Sequence, residues 1–172
     1  MNGIEIRPEQ TADGQAIRQI HERAFGRPVE ANLVALLRAA NKALISLVAL
    51  ADGCPVGHII FSAVTVGVPP TCMGGIGLGP VAVLPEFQRF GIGSKLIRKG
   101  LRQCQRAGYT AVVVLGDPAY YSRFGFTCAR DCQLDNEYNA LEDFMVLELK
   151  KGSLEGVSGM VRYQPEFRNA GC

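Results

Sequence analysis

A strand, a tight loop and the start of a helix follow one another in Val81-Ala82-Val83-Leu84-Pro85-Glu86-Phe87-Gln88-Arg89-Phe90-Gly91-Ile92-Gly93-Ser94-Lys95-Leu96-Ile97. The strand is apolar, and Pro85 ends it because proline has no backbone N–H to donate. Two glycines follow at a spacing of two, and helical periodicity begins after Gly93. Where such a loop enters a helix, the first N–H groups have no intrahelical partner and lie at the positive end of the helix dipole. The segment is therefore predicted to bind an anion, most commonly a phosphate group.

Three phosphate-binding patterns compete for these residues, and their spacing separates them. A Walker loop requires glycine, lysine and then serine or threonine, whereas the order here is Gly93-Ser94-Lys95. A dinucleotide fingerprint requires a small residue three places after the second glycine, and that place is Leu96. The pattern that remains is Gln88-x-x-Gly91-x-Gly93, preceded by a strand that ends in Val-x-Pro.

This pattern resembles the acyl-CoA pyrophosphate loop of the GNAT superfamily of N-acetyltransferases. Tyr121-x-x-x-Gly125-Phe126, farther along the chain, strengthens the resemblance. The resemblance covers roughly residues 4–149. It implies an α/β fold with a mixed, partly splayed β-sheet flanked by about four helices.

Length, composition and charge limit the number of domains and the kinds of partner. With 172 residues, 48% of them apolar and 20% charged, the chain has the size and composition of one globular domain over 1–172. Residues 150–172 are expected to form an extension whose placement the sequence does not predict. The net charge of +2 and the scattered charges give no reason to expect nucleic acid or a membrane as a partner. The start of the sequence has no secretory signal pattern, which predicts a cytoplasmic protein.

Periodicity and turn residues predict the order of the elements. Asp52-Gly53 is a strong hairpin signal between a strand over 45–51 and a strand over 55–66. Two glycines and Pro80 within the strand over 76–84 predict a bulge or a splayed neighbour there. The other predicted elements are a strand at 4–7, helices at 13–25, 28–40, 93–105 and 119–124, a loop at 67–75, and strands at 110–115 and 144–149.

The resemblance implies acetyl-CoA as co-substrate. No metal is expected, because the six cysteines are scattered without a C-x-x-C pair and only His21 and His58 could join them. The resemblance also implies that the main chain of Val81 and Val83 pairs with the pantetheine arm of the cofactor. The backbone N–H groups of the loop would hold the pyrophosphate. The loop residues are Gln88, Arg89, Phe90, Gly91, Ile92, Gly93 and Ser94.

Acyl transfer from a thioester to an amine requires a neutral amine, stabilisation of the carbonyl oxygen and a proton for the departing thiolate. By resemblance, Tyr121 corresponds to the general acid. Many family members carry a carboxylate on the strand before the loop, but residues 76–84 contain no ionisable side chain. Glu86 is the candidate base nearest to the loop, and Glu30, His58 and a water-mediated route remain open alternatives.

The sequence therefore predicts an N-acetyltransferase that moves the acetyl group of acetyl-CoA directly to a primary amine of a small molecule or peptide. A non-catalytic acyl-CoA binding or sensing domain is the alternative, favoured by the missing strand carboxylate. An unrelated nucleotide-binding protein is disfavoured by the failed Walker and dinucleotide spacings. A homodimer, formed through a late strand or the tail, is a further expectation.

Overall fold

The computed structural model describes residues 3–66 and 74–172. Its strands are β1 (Ile4–Pro8), β2 (Ile45–Ala51), β3 (Cys54–Ala63), β4 (Thr65–Val66), β5 (Gly75–Val83), β6 (Ala111–Leu115), β7 (Thr127–Cys128), β8 (Leu134–Asn136), β9 (Phe144–Glu148) and β10 (Gly159–Arg162). Its helices are α1 (Gly14–Phe25), α2 (Val29–Ala39), α3 (Ile92–Arg106), α4 (Pro118–Tyr121) and α5 (Pro165–Ala170). Within the described ranges, none of these helices is long and apolar enough to cross a bilayer.

The chain divides into two compact units. The first unit contains Met1–Phe61, Pro80–Gly100 and Pro165–Cys172, and the second contains Ser62–Gly79 and Leu101–Gln164. Because β5 crosses the boundary at Gly79 and Pro80, its two halves belong to different units.

The first unit contains β1, β2 and β3 in that order, followed by the second half of β5. β2 pairs antiparallel with both β1 and β3. The turn between β2 and β3 has positive φ at both central residues, Asp52 (49°) and Gly53 (81°), as a two-residue hairpin of this twist requires. The core of this unit is formed by fully buried apolar side chains of the helices and strands, among them Ile17, Ile20, Leu33, Leu37, Leu47, Ile59, Phe61, Ile92 and Leu96.

The second unit contains the first half of β5, then β6, β9 and β7. β5 and β6 are parallel, and β9 is antiparallel to both β6 and β7, so the strand directions are mixed as predicted. The register of β5 with β6 spans Gly75 to Leu78, and Gly79 follows with a φ of 140°. The predicted irregularity therefore lies where the glycines and Pro80 occur. A smaller sheet has the order β4-β10-β8.

Most predicted elements are confirmed within a residue or two, but the strand predicted over 55–66 is not one strand. β3 ends at Ala63, and Thr65–Val66 forms the separate strand β4, which pairs with β10 near the C-terminus. The partner strand is 90 or more residues away in the sequence, so no local pattern predicts the change of sheet. The predicted loop at 67–75 falls largely on residues 67–73, which lie outside the described residues.

Candidate functional site

The chain leaves β5 through a tight 3-10 turn formed by Pro85–Phe87. The N–H of Phe87 donates to the Leu84 carbonyl at 2.8 Å, and the N–H of Gln88 donates to the Pro85 carbonyl at 3.2 Å. Pro85 at the first position of the turn has the φ that the turn requires and no N–H to leave unpaired. The turn brings the Gln88 side chain back toward the end of the strand.

The loop that follows has the backbone geometry of an anion site. Arg89 and Gly91 both have positive φ, at 65° and 78°, on either side of Phe90. Alternating dihedrals of this kind make successive N–H groups converge on one point. A Cβ at Gly91 would meet no atom within 4 Å, so positive φ, and not crowding, is what favours glycine there.

α3 continues the same surface. The N–H of Lys95 donates to the Gly91 carbonyl at 3.0 Å, which is the first turn of the helix. The N–H groups of Ile92, Gly93 and Ser94 precede this bond, so helix geometry gives them no intrahelical acceptor. The Ile92 side chain is 1% exposed, which fixes the helix end in the core, whereas Gly91 is exposed and Gly93 and Ser94 are half-buried. All seven predicted loop residues are therefore brought together in the first unit.

The predicted strand positions lie beside this loop. The N–H of Leu84 donates to the Val56 carbonyl of β3 at 2.9 Å. Because successive residues of a strand direct their backbone groups to opposite edges, the main chain of Val81 and Val83 faces the edge away from β3. At that edge the Val83 carbonyl accepts a hydrogen bond from Nε2 of Gln88 at 3.0 Å.

Tyr121 lies in the second unit, at the end of α4. Asp117 caps this helix, accepting the N–H of Ala119 on its carboxylate at 2.8 Å. The Tyr121 ring is 7% exposed and packs edge-on against Phe126, with centroids 5.7 Å apart. A Cβ at Gly116 would lie 2.3 Å from Cε2 of Tyr121, so the absence of a side chain at Gly116 makes room for the ring.

Burial raises the pKa of Tyr121, and the neighbouring Tyr120 adds to the shift. The phenol therefore keeps its proton at neutral pH, which is a requirement for a proton donor. Tyr120 differs from Tyr121 because it is half-buried and the guanidinium of Arg123 lies 4.6 Å from its ring centroid. Of the two adjacent tyrosines, Tyr121 is the buried one.

Glu86 is held by an ion pair with α1. Both of its carboxylate oxygens accept hydrogen bonds from the Arg23 guanidinium, at 3.0 Å each. A hydrogen bond from its own backbone N–H and the pair with Arg23 lower the pKa of Glu86. A lower pKa makes a carboxylate a weaker base, so these contacts do not favour Glu86 in that role.

His58, another candidate base, belongs to a buried hydrogen-bonded chain. Ser46 Oγ donates to Glu9, Nε2 of His58 lies 2.8 Å from Ser46 Oγ, and Nδ1 of His58 lies 2.8 Å from Nε2 of His21. Because an ionised carboxylate only accepts hydrogen bonds, the order of donors is His21 to His58 to Ser46 to Glu9. The basic nitrogen of His58 is therefore already occupied by His21.

Burial is the main cause of the lowered pKa of both histidines, to about 3 for His21. Despite its own burial, Glu9 has its pKa lowered to about 2 by the neighbouring His58, Ser46 and Arg38. Sequence reasoning missed this chain because its members come from β2, β3, α1 and the residue that follows β1. His58 on an apolar strand was the one signal of a buried polar group. The remaining candidate base, Glu30, is 6% exposed and pairs with Arg27 at 2.5 Å.

In the described part of the chain, no group of three or more His, Cys, Asp and Glu side chains is arranged to hold a metal ion. The geometry defines an α/β protein in which a loop with the backbone geometry of an anion site joins the end of a strand to a helix N-terminus.

Comparison with known proteins narrows this class. A model of the acetyltransferase (GNAT) domain matches residues 5–129. The uncharacterized N-acetyltransferase YhbS of Escherichia coli K12 is 37% identical over 164 residues, which are 94% of this chain and 97% of YhbS. The chain therefore belongs to the GNAT family of acetyltransferases.

Two solved structures resemble the fold over nearly the whole chain. The crystal structure of Escherichia coli YhbS in complex with CoA has a TM-score of 0.91 and 35% identity, covering 96% of this chain and 92% of that one. A GNAT family acetyltransferase from Brucella melitensis in complex with acetyl-CoA has a TM-score of 0.81 and 39% identity, covering 97% of this chain and 99% of that one. The α/β fold class and the GNAT superfamily prediction are confirmed.

Proposed function

We propose that the protein transfers the acetyl group of acetyl-CoA directly to a primary amine. The observation that carries this proposal is the loop from Gln88 to Ser94, with its two positive φ angles and its direct entry into the N-terminus of α3. A diphosphate has the charge and the acceptor oxygens that such a loop binds. The crystal structures of two relatives in complex with CoA and acetyl-CoA support the choice of ligand.

In this reaction the amine nitrogen attacks the thioester carbonyl carbon, and the C–S bond breaks. The amine loses a proton, and the CoA thiolate gains one. Holding both reactants in line supplies much of the rate, because effective molarities of well-placed groups reach ~10⁵ M and above. The main-chain groups of Val81 and Val83 would bind the pantetheine arm, and an N–H at this edge would face the thioester oxygen.

Tyr121 is proposed as the acid that protonates the departing thiolate. The phenol is protonated over the whole neutral range, as a proton donor must be, although its raised pKa makes it a weaker acid than a free phenol. For the base, the pair with Arg23 counts against Glu86, and the hydrogen bond from His21 counts against His58. The pair with Arg27 counts against Glu30 in the same way, so a water-mediated route to solvent is the remaining proposal.

The acceptor amine, a homodimer and a cytoplasmic location stay predictions. An acyl-CoA binding or sensing domain is the second candidate function, because β5 carries no ionisable side chain over Gly75–Val83. Such a domain would bind acetyl-CoA through the same loop and release no CoA in the presence of amines.

The experiment is free-thiol release from acetyl-CoA against a panel of amino acids, polyamines, aminoglycosides and short peptides. At least one amine is expected to drive turnover, and Tyr121→Phe should lower kcat by about 100-fold or more while CoA still binds. Tyr120→Phe is the matched control and should keep most of the activity. Full activity in Tyr121→Phe would remove this residue from the mechanism, and CoA binding without turnover would favour the sensing domain.

A further inference from the structure

The Gln88 side chain makes a contact that the predicted role of its backbone N–H does not require. Its Nε2 donates to the Val83 carbonyl, five residues earlier in the chain, at 3.0 Å. Val83 is 9% exposed and ends β5, whereas Gln88 is exposed and begins the anion-binding loop. This hydrogen bond therefore connects the loop directly to the end of the strand.

The local backbone conformation favours the hydrogen bond between Gln88 and Val83. The 3-10 turn at Pro85–Phe87 reverses the chain, and Gln88 itself is extended, with φ of −69° and ψ of 160°. A long side chain with a terminal N–H donor then reaches back to the strand. Glutamine and arginine both have such a donor, whereas methionine has a similar length and no donor.

The edge of β5 at which this hydrogen bond is made indicates which ligand group it could affect. Leu84 pairs with β3, so the Val83 carbonyl lies at the opposite edge, which is the edge proposed for pantetheine. At the end of this edge, Gln88 takes the place that an N–H of a neighbouring strand would have. A ligand that pairs with the same edge would meet the main chain of Val81 and the N–H of Val83 there.

We propose that Gln88 is a positioning residue for acyl-CoA, whose side chain sets the register between the diphosphate-binding loop and the strand edge that binds the pantetheine arm. This inference rests on the proposed function. CoA is one molecule that must satisfy both sites at a fixed separation, so a loop that moves relative to the strand end would bind each half of CoA but not both at once.

The test compares the wild-type protein with Gln88→Met, which removes the donor, and Gln88→Arg, which retains one. Gln19→Met, at an exposed position of α1, is the matched control for the same chemical change. Calorimetry measures Kd for CoA and for adenosine 3′-phosphate 5′-diphosphate, which is the nucleotide half of CoA. Steady-state kinetics with acetyl-CoA, and thermal unfolding, complete the set.

For Gln88→Met, Kd for CoA is expected to rise about fivefold, as the loss of one hydrogen bond implies, while Kd for the nucleotide half changes less than twofold. kcat is expected to fall by about fivefold or more, because the thioester is less well placed. Gln88→Arg should restore the ratio of the two dissociation constants, and Gln19→Met should match the wild type.

A residue that merely stabilises the loop would weaken both ligands by the same factor, and this result would overturn the proposal. Unchanged dissociation constants for both ligands in Gln88→Met would overturn it as well. A wild-type protein that binds neither ligand at millimolar concentration would instead contradict the proposed function itself.

Discussion

His21 and His58 are both fully buried in the first unit, and their rings are hydrogen-bonded to each other. A neutral imidazole has one donor and one acceptor, so the chain that ends at Glu9 fixes the tautomer of each ring. Nδ1 of His21 is then left as an acceptor, and none of the described residues donates to it. The pair therefore stabilises the fold only while both rings are neutral.

These residues predict a pH-dependent stability. The pKa of His21 is about 3 in the folded protein, against an ordinary value of 6.5, so between these values the unfolded chain binds more protons. Stability is then lost as the pH falls below about 6.5, by roughly 2 kcal/mol between pH 7 and pH 5 from His21 alone. Glu9 adds a further loss below its ordinary pKa of 4.5, down to about 2.

Urea unfolding at pH 7 and pH 5 measures this loss. His21→Phe keeps a ring beside Phe25 and removes the titrating group, so it should be less stable at pH 7 and lose less on acidification. Equal losses in the variant and the wild type would show that His21 is not the responsible group.

At the scale of elements, the packing of α3 on β3 holds the helix N-terminus at the loop. Gly100 of α3 faces the fully buried ring of Phe61, and a Cβ there would lie 2.5 Å from two of its ring carbons. In the same way, a Cβ added to Gly57 of β3 would lie 3.1 Å from the Leu96 side chain and 3.3 Å from the Ile92 side chain. Missing side chains on both elements therefore permit their close approach.

Gly100→Ala is expected to destabilise the protein by about 1–3 kcal/mol, because the overpacking of Phe61 exceeds the gain in helix propensity. Gly14→Ala, at the first residue of α1, meets no atom within 4 Å and is expected to be neutral or stabilising. Chemical denaturation measures the free energy of unfolding of both variants, which is expected to fall for Gly100→Ala and not for Gly14→Ala. A stabilising Gly100→Ala would mean that α3 moves away from β3 without cost.

Local patterns explain why most elements could be predicted. α1 ends at Gly26 with φ of 67°, α3 buries Leu96 and Ile97 as its periodicity predicts, and β6 is an apolar run that is almost wholly buried. The turn after β5 and the positive φ of Gly91 follow from Pro85 and Gly91 themselves, whereas the positive φ of Arg89 had no signal in the sequence. The hydrogen bond from Gln88 to Val83 could not be predicted, because the partner of a side chain is fixed only once the turn is formed.

At the scale of the whole molecule, the chain passes between the two units several times. After the long second segment, Pro165–Cys172 returns to the first unit, where Lys42 pairs with Glu166 of α5 at 2.8 Å. β10, just before it, joins β4 and β8 of the second unit. The sequence did not predict the placement of this tail because its partners lie far away in the chain. The prediction of one domain over 1–172 stays a prediction.

The proposed function requires that the loop after β5 binds acetyl-CoA, and titration calorimetry tests this most directly. Two variants serve as a matched pair, because Gly91 and Gly26 have φ of 78° and 67° and a Cβ at either meets no atom within 4 Å. Alanine costs a similar backbone strain of about 1–2 kcal/mol at both positions, but only Gly91 lies in the loop. The wild type and Gly26→Ala are predicted to bind one acetyl-CoA with equal affinity, and Gly91→Ala to bind about tenfold more weakly. No binding by the wild-type protein at millimolar acetyl-CoA, or full affinity in Gly91→Ala, would contradict the account.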